Sequence, residues 1–374
     1  MPEANQAGPI AVYGASGYTG RLVAGELSRR GADFLIAGRS REKLQALSED
    51  LGGAPIRVAA LDDGAALRSL LEPCAAVIAC AGPFTRHGQP LVAAAAETGT
   101  HYLDTTGEQT FIRMVFERYA EPAERSGACL VSAMGFDYAP GDMIASLTAA
   151  GMEPLDEIVV AYRVHGFAPT RGTALSALEV FGGEDVVWKG GGWQPAPRSV
   201  DGGRWRFPEP VGEQRTLRYP AGEQIMVPRH VETAEVRTLL SGMALPPPPL
   251  ASLAMPALGV AMRTPFRHVV NAVIGRMPEG PSEQQRRRSR VMVDCAARTG
   301  TGRRRGTLTA AIDPYDLTAA IISQAAQLAA EPGFDRSGAL APAQAFDPRE
   351  FLDSLAEVGV ETQVEPLPQP APTG

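Results

Sequence analysis

Cysteine is scarce in this sequence: four thiols in 374 residues, at Cys74, Cys80, Cys129 and Cys295, far apart and with no C-x-x-C pair. That scarcity excludes a disulfide framework. No histidine spacing suits zinc either, so no metal site is expected. Three of the four fall in or beside expected strands, where a buried free thiol is the ordinary role. Positive charge is also short: 35 Lys and Arg against 42 Asp and Glu leave a net charge of −7, which argues against a nucleic-acid partner. Unbroken apolar runs are missing too. The most apolar stretch, 239–262, is interrupted by Pro246 to Pro249 and by Pro256, below the ~20 residues that span a bilayer. Residues 250–262 therefore read as a buried segment rather than a membrane-surface one. The opening Met-Pro-Glu-Ala-Asn-Gln carries neither the basic nor the apolar region of a secretory signal, so a cytoplasmic protein is expected.

What is present is ordinary in bulk and specific in one place. Apolar residues make up 44% and charged ones 21%, a soluble globular balance, and the length suits two domains. Residues 10–20 combine a short apolar strand, Ile10 to Tyr13, with Gly14, Gly17 and Gly20 at intervals of three. A helical pattern follows from Arg21 to Arg30 and stops at Gly31. Strand, glycine turn and helix in that order make a nucleotide-phosphate cradle. The first glycine permits the turn, the second lets backbone approach a pyrophosphate, and the third lets helix and strand pack closely. Gly14, Ser16, Gly17, Tyr18, Thr19 and Gly20 are therefore candidate cofactor residues, with the helix dipole favouring phosphate.

From residue 8 to about 145, strand and helix patterns alternate with short connections, which implies a doubly wound parallel sheet. Its strands are expected at 10–13, 34–38, 56–61, 75–80, 101–104 and 128–132, with Pro122 interrupting the helical stretch before the last. Ligands should gather beyond the strands' carboxyl ends. The end of the second strand chooses the cofactor. An NAD-binding chain usually places an acid there for the ribose 2′-hydroxyl; this chain has Gly38-Arg39-Ser40-Arg41. Arg39 can fork onto a 2′-phosphate, with Ser40 and Arg41 adding donors, so NADP is the expected cofactor. Ser40 also caps the next helix. Asp62 could touch adenine or cap a helix. Ala81, Gly82 and Pro83 close the fourth strand where the nicotinamide half should pass.

Beyond about residue 150 the pattern changes. Strands are expected at 155–164, 224–227, 235–240, 289–297 and 306–312, helices at 174–181 and 315–330, and a Gly/Pro/Trp-rich loop over 186–213. The strands read as mainly antiparallel, and 298–303 as a hairpin turn. The expected fold is thus α/β: an N-terminal Rossmann domain over 1–148, an α+β second domain over 149–335, and a C-terminal helix and tail over 336–374 packing back near the first domain. That helix is capped by Asp347 with Pro348 at its first position, and 365–374 read as a frayed tail. No internal repeat is visible.

The first 150 residues resemble the saccharopine dehydrogenase-like NAD(P)-dependent oxidoreductases, most closely their trans-acting enoyl reductase branch. The resemblance rests on Gly14-Ala-Ser-Gly-Tyr-Thr-Gly-Arg21, Ala37-Gly38-Arg39, Ala81-Gly82-Pro83-Phe84, Gly99-Thr-His-Tyr-Leu-Asp-Thr-Thr-Gly-Glu108 and Gly135-Phe-Asp-Tyr-Ala-Pro-Gly-Asp142. In the last of these, Tyr138 and Ala139 interrupt the Asp-Pro step of the saccharopine reductases, so amino-acid contacts do not carry across. The tail Leu340 to Pro348 also matches this branch, whereas 165–285 do not.

The resemblance implies an NADP-dependent oxidoreductase that reduces an activated C=C bond of a lipid or polyketide acyl intermediate in secondary metabolism. The alternatives are reduction of a C=N intermediate, as saccharopine-type enzymes perform, and a non-catalytic NADP-binding sensor or scaffold. A reductase needs a proton donor, and His87 and Tyr138 are the candidates. His87 carries an imidazole able to pass a proton but can be a surface histidine; Tyr138 carries a phenolic proton but can be a structural tyrosine at the domain hinge. Asp104 and Glu108 are expected to orient or cap backbone, and Asp137 and Asp142 to fix the interdomain turn. Two arginine clusters, 286–290 and 303–305, are solvated faces or a docking patch for an acidic acyl carrier protein. A homodimer is compatible with this reading.

Overall fold

A computed structural model describes residues 8–180, 185–197, 199–219, 221–241, 266–276 and 280–366. The apolar 250–262 segment lies outside the described residues, as does the tail from 367.

Seven parallel strands form the first sheet. They are β1 (Ile10–Tyr13), β2 (Phe34–Gly38), β3 (Ile56–Val58), β4 (Ala76–Ala79), β5 (His101–Asp104), β6 (Cys129–Val131) and, late in the chain, β15 (Gly338–Ala339). Their spatial order is β15-β6-β5-β4-β1-β2-β3, the doubly wound arrangement with one extra edge strand. The strands are short and apolar on both faces because helices cover both. On one face Leu67, Leu70, Leu91 and Phe111 pack down from their helices.

The second sheet contains β7 (Glu157–His165), β10 (Asp201–Arg206), β11 (Glu213–Arg218), β12 (Val236–Ser241), β13 (Arg290–Arg298), β14 (Arg303–Ala310) and β16 (Val360–Pro366). Their order is β10-β11-β12-β7-β13-β14-β16. All pairs are antiparallel except β12 with β7. A separate hairpin joins β8 (Val186–Lys189) to β9 (Gly192–Pro195). The helices Ala139–Ala149 and Pro314–Ala329 lie between the sheets, and one buried cluster runs through them from Val12 and Ile78 to Val160, Val293 and Leu317. The chain also crosses back: β15 joins the first sheet, and β16 then joins the second.

Several expectations are corrected. Residues 186–213 are not a loop but two hairpins, and the first turns on Gly190-Gly191, both at positive φ. Two consecutive glycines at positive φ make the tight turn that matches strand twist. Trp188 and Trp193 meet across it edge to face, 5.0 Å between centroids. Residues 224–227 are not a strand: Glu223–Met226 is a helical turn continued by Val227–Arg229. There the Gln224 amide bonds Trp188 N and Thr238 Oγ1. Pro122 does not interrupt its helix, which runs unbroken over Gln109–Ser126. The hydrogen bond it forfeits falls toward solvent beside exposed Arg118, while Phe111, Val115 and Ala123 pin both halves to the sheet. The third strand stops at Val58, and residues 365 and 366 belong to β16 rather than to a frayed tail.

Candidate active site

The carboxyl ends of β1, β4, β5 and β6 open on one edge, and each leads into a loop with a distinct task. After β1 the chain turns at Gly14 (φ +81°), where a Cβ would stand 3.0 Å from Ala81 N and 3.1 Å from the Ala81 side chain. Gly20 admits no side chain, since a Cβ would overlap Gly14 O and lie 2.7 Å from Ala15 Cα. Gly17 is different: its nearest protein neighbour would be 3.4 Å away, ordinary contact. Gly14 and Gly20 are thus required by the fold, while the protein itself leaves Gly17 room for a methyl. Gly17 caps the helix Tyr18–Arg29, with no side-chain cap and no acid in its first turn. The exposed end of a 12-residue helix therefore presents backbone N–H groups and positive dipole beside a bare glycine, a cradle that fits a pyrophosphate. Ser16 is half-buried in the turn, its carbonyl accepting Arg21 Nε at 3.2 Å. Thr19 stands half-buried in the first helical turn.

Tyr18 points elsewhere. Its ring packs edge to face on Tyr315 at 5.3 Å, and Tyr315 stacks on Phe167 at 5.9 Å, which meets Phe136 at 5.9 Å. Four rings thus run from the glycine loop along the seam with the second domain to the end of β6.

At the end of β2, Arg39 is exposed and forms no hydrogen bond or ion pair with any described residue; Arg41 is likewise exposed. Ser40 caps the next helix, accepting Lys43 N at 3.4 Å. Arg39 and Asp62 both act electrostatically on the Tyr13 phenol, Arg39 lowering and Asp62 raising it. Asp62 caps nothing; Asp63 is the cap, accepting Ala66 N at 3.0 Å.

The loops after β4 and β5 are bolted together. Gly82–Pro83 is a cis peptide, and Pro83 precedes the short helix Phe84–His87. Glu108, only 2% exposed, accepts Phe84 N (2.8 Å), Thr85 N (2.7 Å), Thr85 Oγ1 (2.6 Å) and Ser176 Oγ (3.0 Å). Asp104, fully buried, accepts Thr106 N and Ala133 N, each at 2.9 Å, and Ser132 Oγ at 2.8 Å. It thereby fixes Ala133 in the left-handed region (φ +63°), a conformation that costs about 1–2 kcal/mol for a residue with a side chain. Burial pushes the Asp104 carboxyl up to about 6 against those three donors.

After β6 lies a residue that sequence reasoning treated as a turn former. The Asp137 carboxyl sits between Gly107 and Gly135, where a Cβ on Gly107 would come 3.3 Å from its Oδ2. Burial, reinforced by nearby Asp104, pushes it up to about 7. Adjacent Tyr138 is buried, and its hydroxyl donates to Gly107 O at 3.0 Å. Burial raises that phenol well above its ordinary value, so its proton stays committed to the hinge. His87 ends its short helix exposed and unpartnered by any described residue. Asp142 pairs with His230 Nε2 at 2.7 Å and accepts Ala343 N at 2.9 Å, pinning the interdomain helix.

The four thiols are unpaired. Among the described residues no cluster could hold a metal, and no helix is long and apolar enough to cross a membrane. The two arginine clusters do not merge, because Arg290 and Arg298 end the same strand, about 27 Å apart at strand rise. Arg286 pairs with Asp316, Arg287 with Glu283, Arg298 with Asp156, and Arg305 with Asp294.

These features define a dinucleotide-binding α/β protein built on a doubly wound parallel sheet and a second, mainly antiparallel sheet. Residues 10–131 match the family described as the saccharopine dehydrogenase NADP binding domain. A Mycobacterium tuberculosis protein provisionally named a trans-acting enoyl reductase is 42% identical over 140 residues, 36% of this chain and 33% of that one. The trans-acting enoyl reductase of Mycobacterium ulcerans is 38% identical over 149 residues, 38% of this chain and 36% of that one. The chain therefore matches about a third of the length of these relatives. Apo saccharopine dehydrogenase (L-Glu forming) of Saccharomyces cerevisiae superposes with a TM-score of 0.64 at 14% identity, covering 96% of this chain and 100% of that one, and shares its fold.

Proposed function

We propose that this protein is an NADPH-dependent reductase acting on an activated C=C bond of a carrier-tethered lipid or polyketide acyl intermediate. NADPH, when bound, supplies the hydride. Gly14, Ser16, Gly17, Thr19 and Gly20 would receive the pyrophosphate, and Arg39, Ser40 and Arg41 the 2′-phosphate. Ala81, Gly82 and Pro83 would flank the nicotinamide half. Asp137 is the proposed proton donor: a carboxylic acid poised near neutral pH at the edge where these loops converge. Phe136 and Phe167 offer an aromatic wall beside it for an acyl chain.

The observation that carries this reading is that the carboxyl ends of one parallel sheet carry both an unpaired arginine after β2 and, four strands away after β6, a carboxyl raised to about 7. The names of the mycobacterial relatives support C=C rather than C=N reduction. Docking of an acidic carrier would fall to the arginines left unpaired at one end of the β13–β14 hairpin. The test is NADPH oxidation with a crotonyl thioester, set against an aldehyde plus an amine. Turnover with the thioester is expected; turnover only with the imine-forming pair would reverse the assignment, and binding without turnover of either would point to a sensor or scaffold.

A further inference from the structure

Glu108 joins three segments that the chain keeps far apart. Its carboxylate takes two backbone N–H groups and one hydroxyl from Phe84 and Thr85, immediately after the Gly82–Pro83 loop. The remaining donor is Ser176, on the helix Arg171–Val180 that follows the first strand of the second sheet. Glu108 itself begins the helix Gln109–Ser126, whose Phe111 and Ile112 amides bond its carbonyl at 2.9 and 3.1 Å. It is buried, which strengthens these bonds by limiting water's access to the carboxylate. The same Ser176 hydroxyl would stand 3.5 Å from a Cβ on Gly82, which puts the second-domain helix directly over that loop.

We infer that Glu108 and Ser176 form an interdomain coupling by which cofactor in the Gly82–Pro83 loop orders the substrate-side helix Arg171–Val180. The inference rests on the NADPH reading above. Glu108 is a positioning residue: it hands no proton on, and it sets the loop and the helix in one frame. A carboxylate is required because its two oxygens accept from four donors. An amide in its place would turn an N–H toward at least one of them and leave a buried donor unpaired. Ser176 makes its hydrogen bond to Glu108 and otherwise only lies over Gly82, so the two residues should separate in their effects.

The experiment is amide hydrogen exchange on the full chain with and without NADPH, alongside NADPH affinity by calorimetry, for the natural protein and for Ser176→Ala, Ser176→Thr and Glu108→Gln. NADPH should slow exchange in residues 171–180 of the natural protein. In Ser176→Ala that slowing should fall about tenfold while affinity stays within about twofold. Ser176→Thr, which keeps the hydroxyl, should restore it. Glu108→Gln should lose both the slowing and about fivefold in affinity, because the Phe84 and Thr85 amides lose their acceptor. Slowing that persists undiminished in Ser176→Ala would overturn the coupling even though NADPH binds. Absence of NADPH binding to the natural protein is a different failure: it removes the cofactor reading itself, and the coupling with it.

Discussion

Arg39 carries the sharpest expectation about any single side chain. Exposed and unpaired at the end of β2, it can close on a 2′-phosphate at little cost in broken interactions. Arg39→Asp should weaken NADPH binding about 10–100-fold, the worth of a lost charge-assisted pair plus repulsion, and leave NADH nearly unchanged. Equal losses with both cofactors would contradict the assignment, and calorimetry reads the difference directly. Asp137 gives the second. Its carboxyl, held near 7 in the folded protein, must lose its donated proton's supply as pH rises through that value, so turnover should fall above pH 7. Asp137→Asn should abolish that limb and most of the rate. The sign for stability follows from linkage. Asp137 and Asp104, held near 7 and 6, bind protons more tightly folded than unfolded, where the ordinary value is 3.8. They therefore favour the fold at low pH, and that contribution drains away as pH rises from about 4 through 7. Arg39 was legible in the sequence because its meaning depends on its place after a glycine-loop strand. The shift at Asp137 was not, since it is made by burial against segments distant in sequence.

Among elements, the glycine loop separates fold from function by steric argument alone. Gly20→Ala would drive a methyl into Gly14 O and should cost about 1–3 kcal/mol, a fall of several degrees in the melting temperature. Gly17→Ala has room and should melt within a degree or so of the natural protein, yet bind NADPH more weakly, because the methyl stands where phosphate would approach. Matching losses of stability in both variants would undo the distinction. The loop, its helix and six of the seven parallel strands of the first sheet were readable from periodicity and spacing; the edge strand β15, from far down the chain, was not. The second domain was less so. Composition hid the 186–195 hairpin, although Gly190-Gly191 was its signal, and the turn at Glu223–Met226 took the look of a strand from apolar residues it buries for other reasons.

For the whole molecule, the topology predicts shared fate for the two sheets. The buried cluster through Leu317 is common to both, and the chain finishes by adding one strand to each sheet. Denaturant unfolding should accordingly show one transition by tryptophan fluorescence, which reports Trp188, Trp193 and Trp205, and by far-ultraviolet dichroism. Two separated transitions would show that the interface is weaker than its packing implies. That rigidity also frames the site, since residues from six loops must keep their distances for hydride and proton to reach one acceptor.

The most direct measurement is calorimetric titration of the purified protein with NADPH and, separately, NADH. The account predicts binding of NADPH at least about tenfold tighter than NADH, as one guanidinium–phosphate contact supplies. No heat with NADPH, or equal affinity for the two, would contradict it.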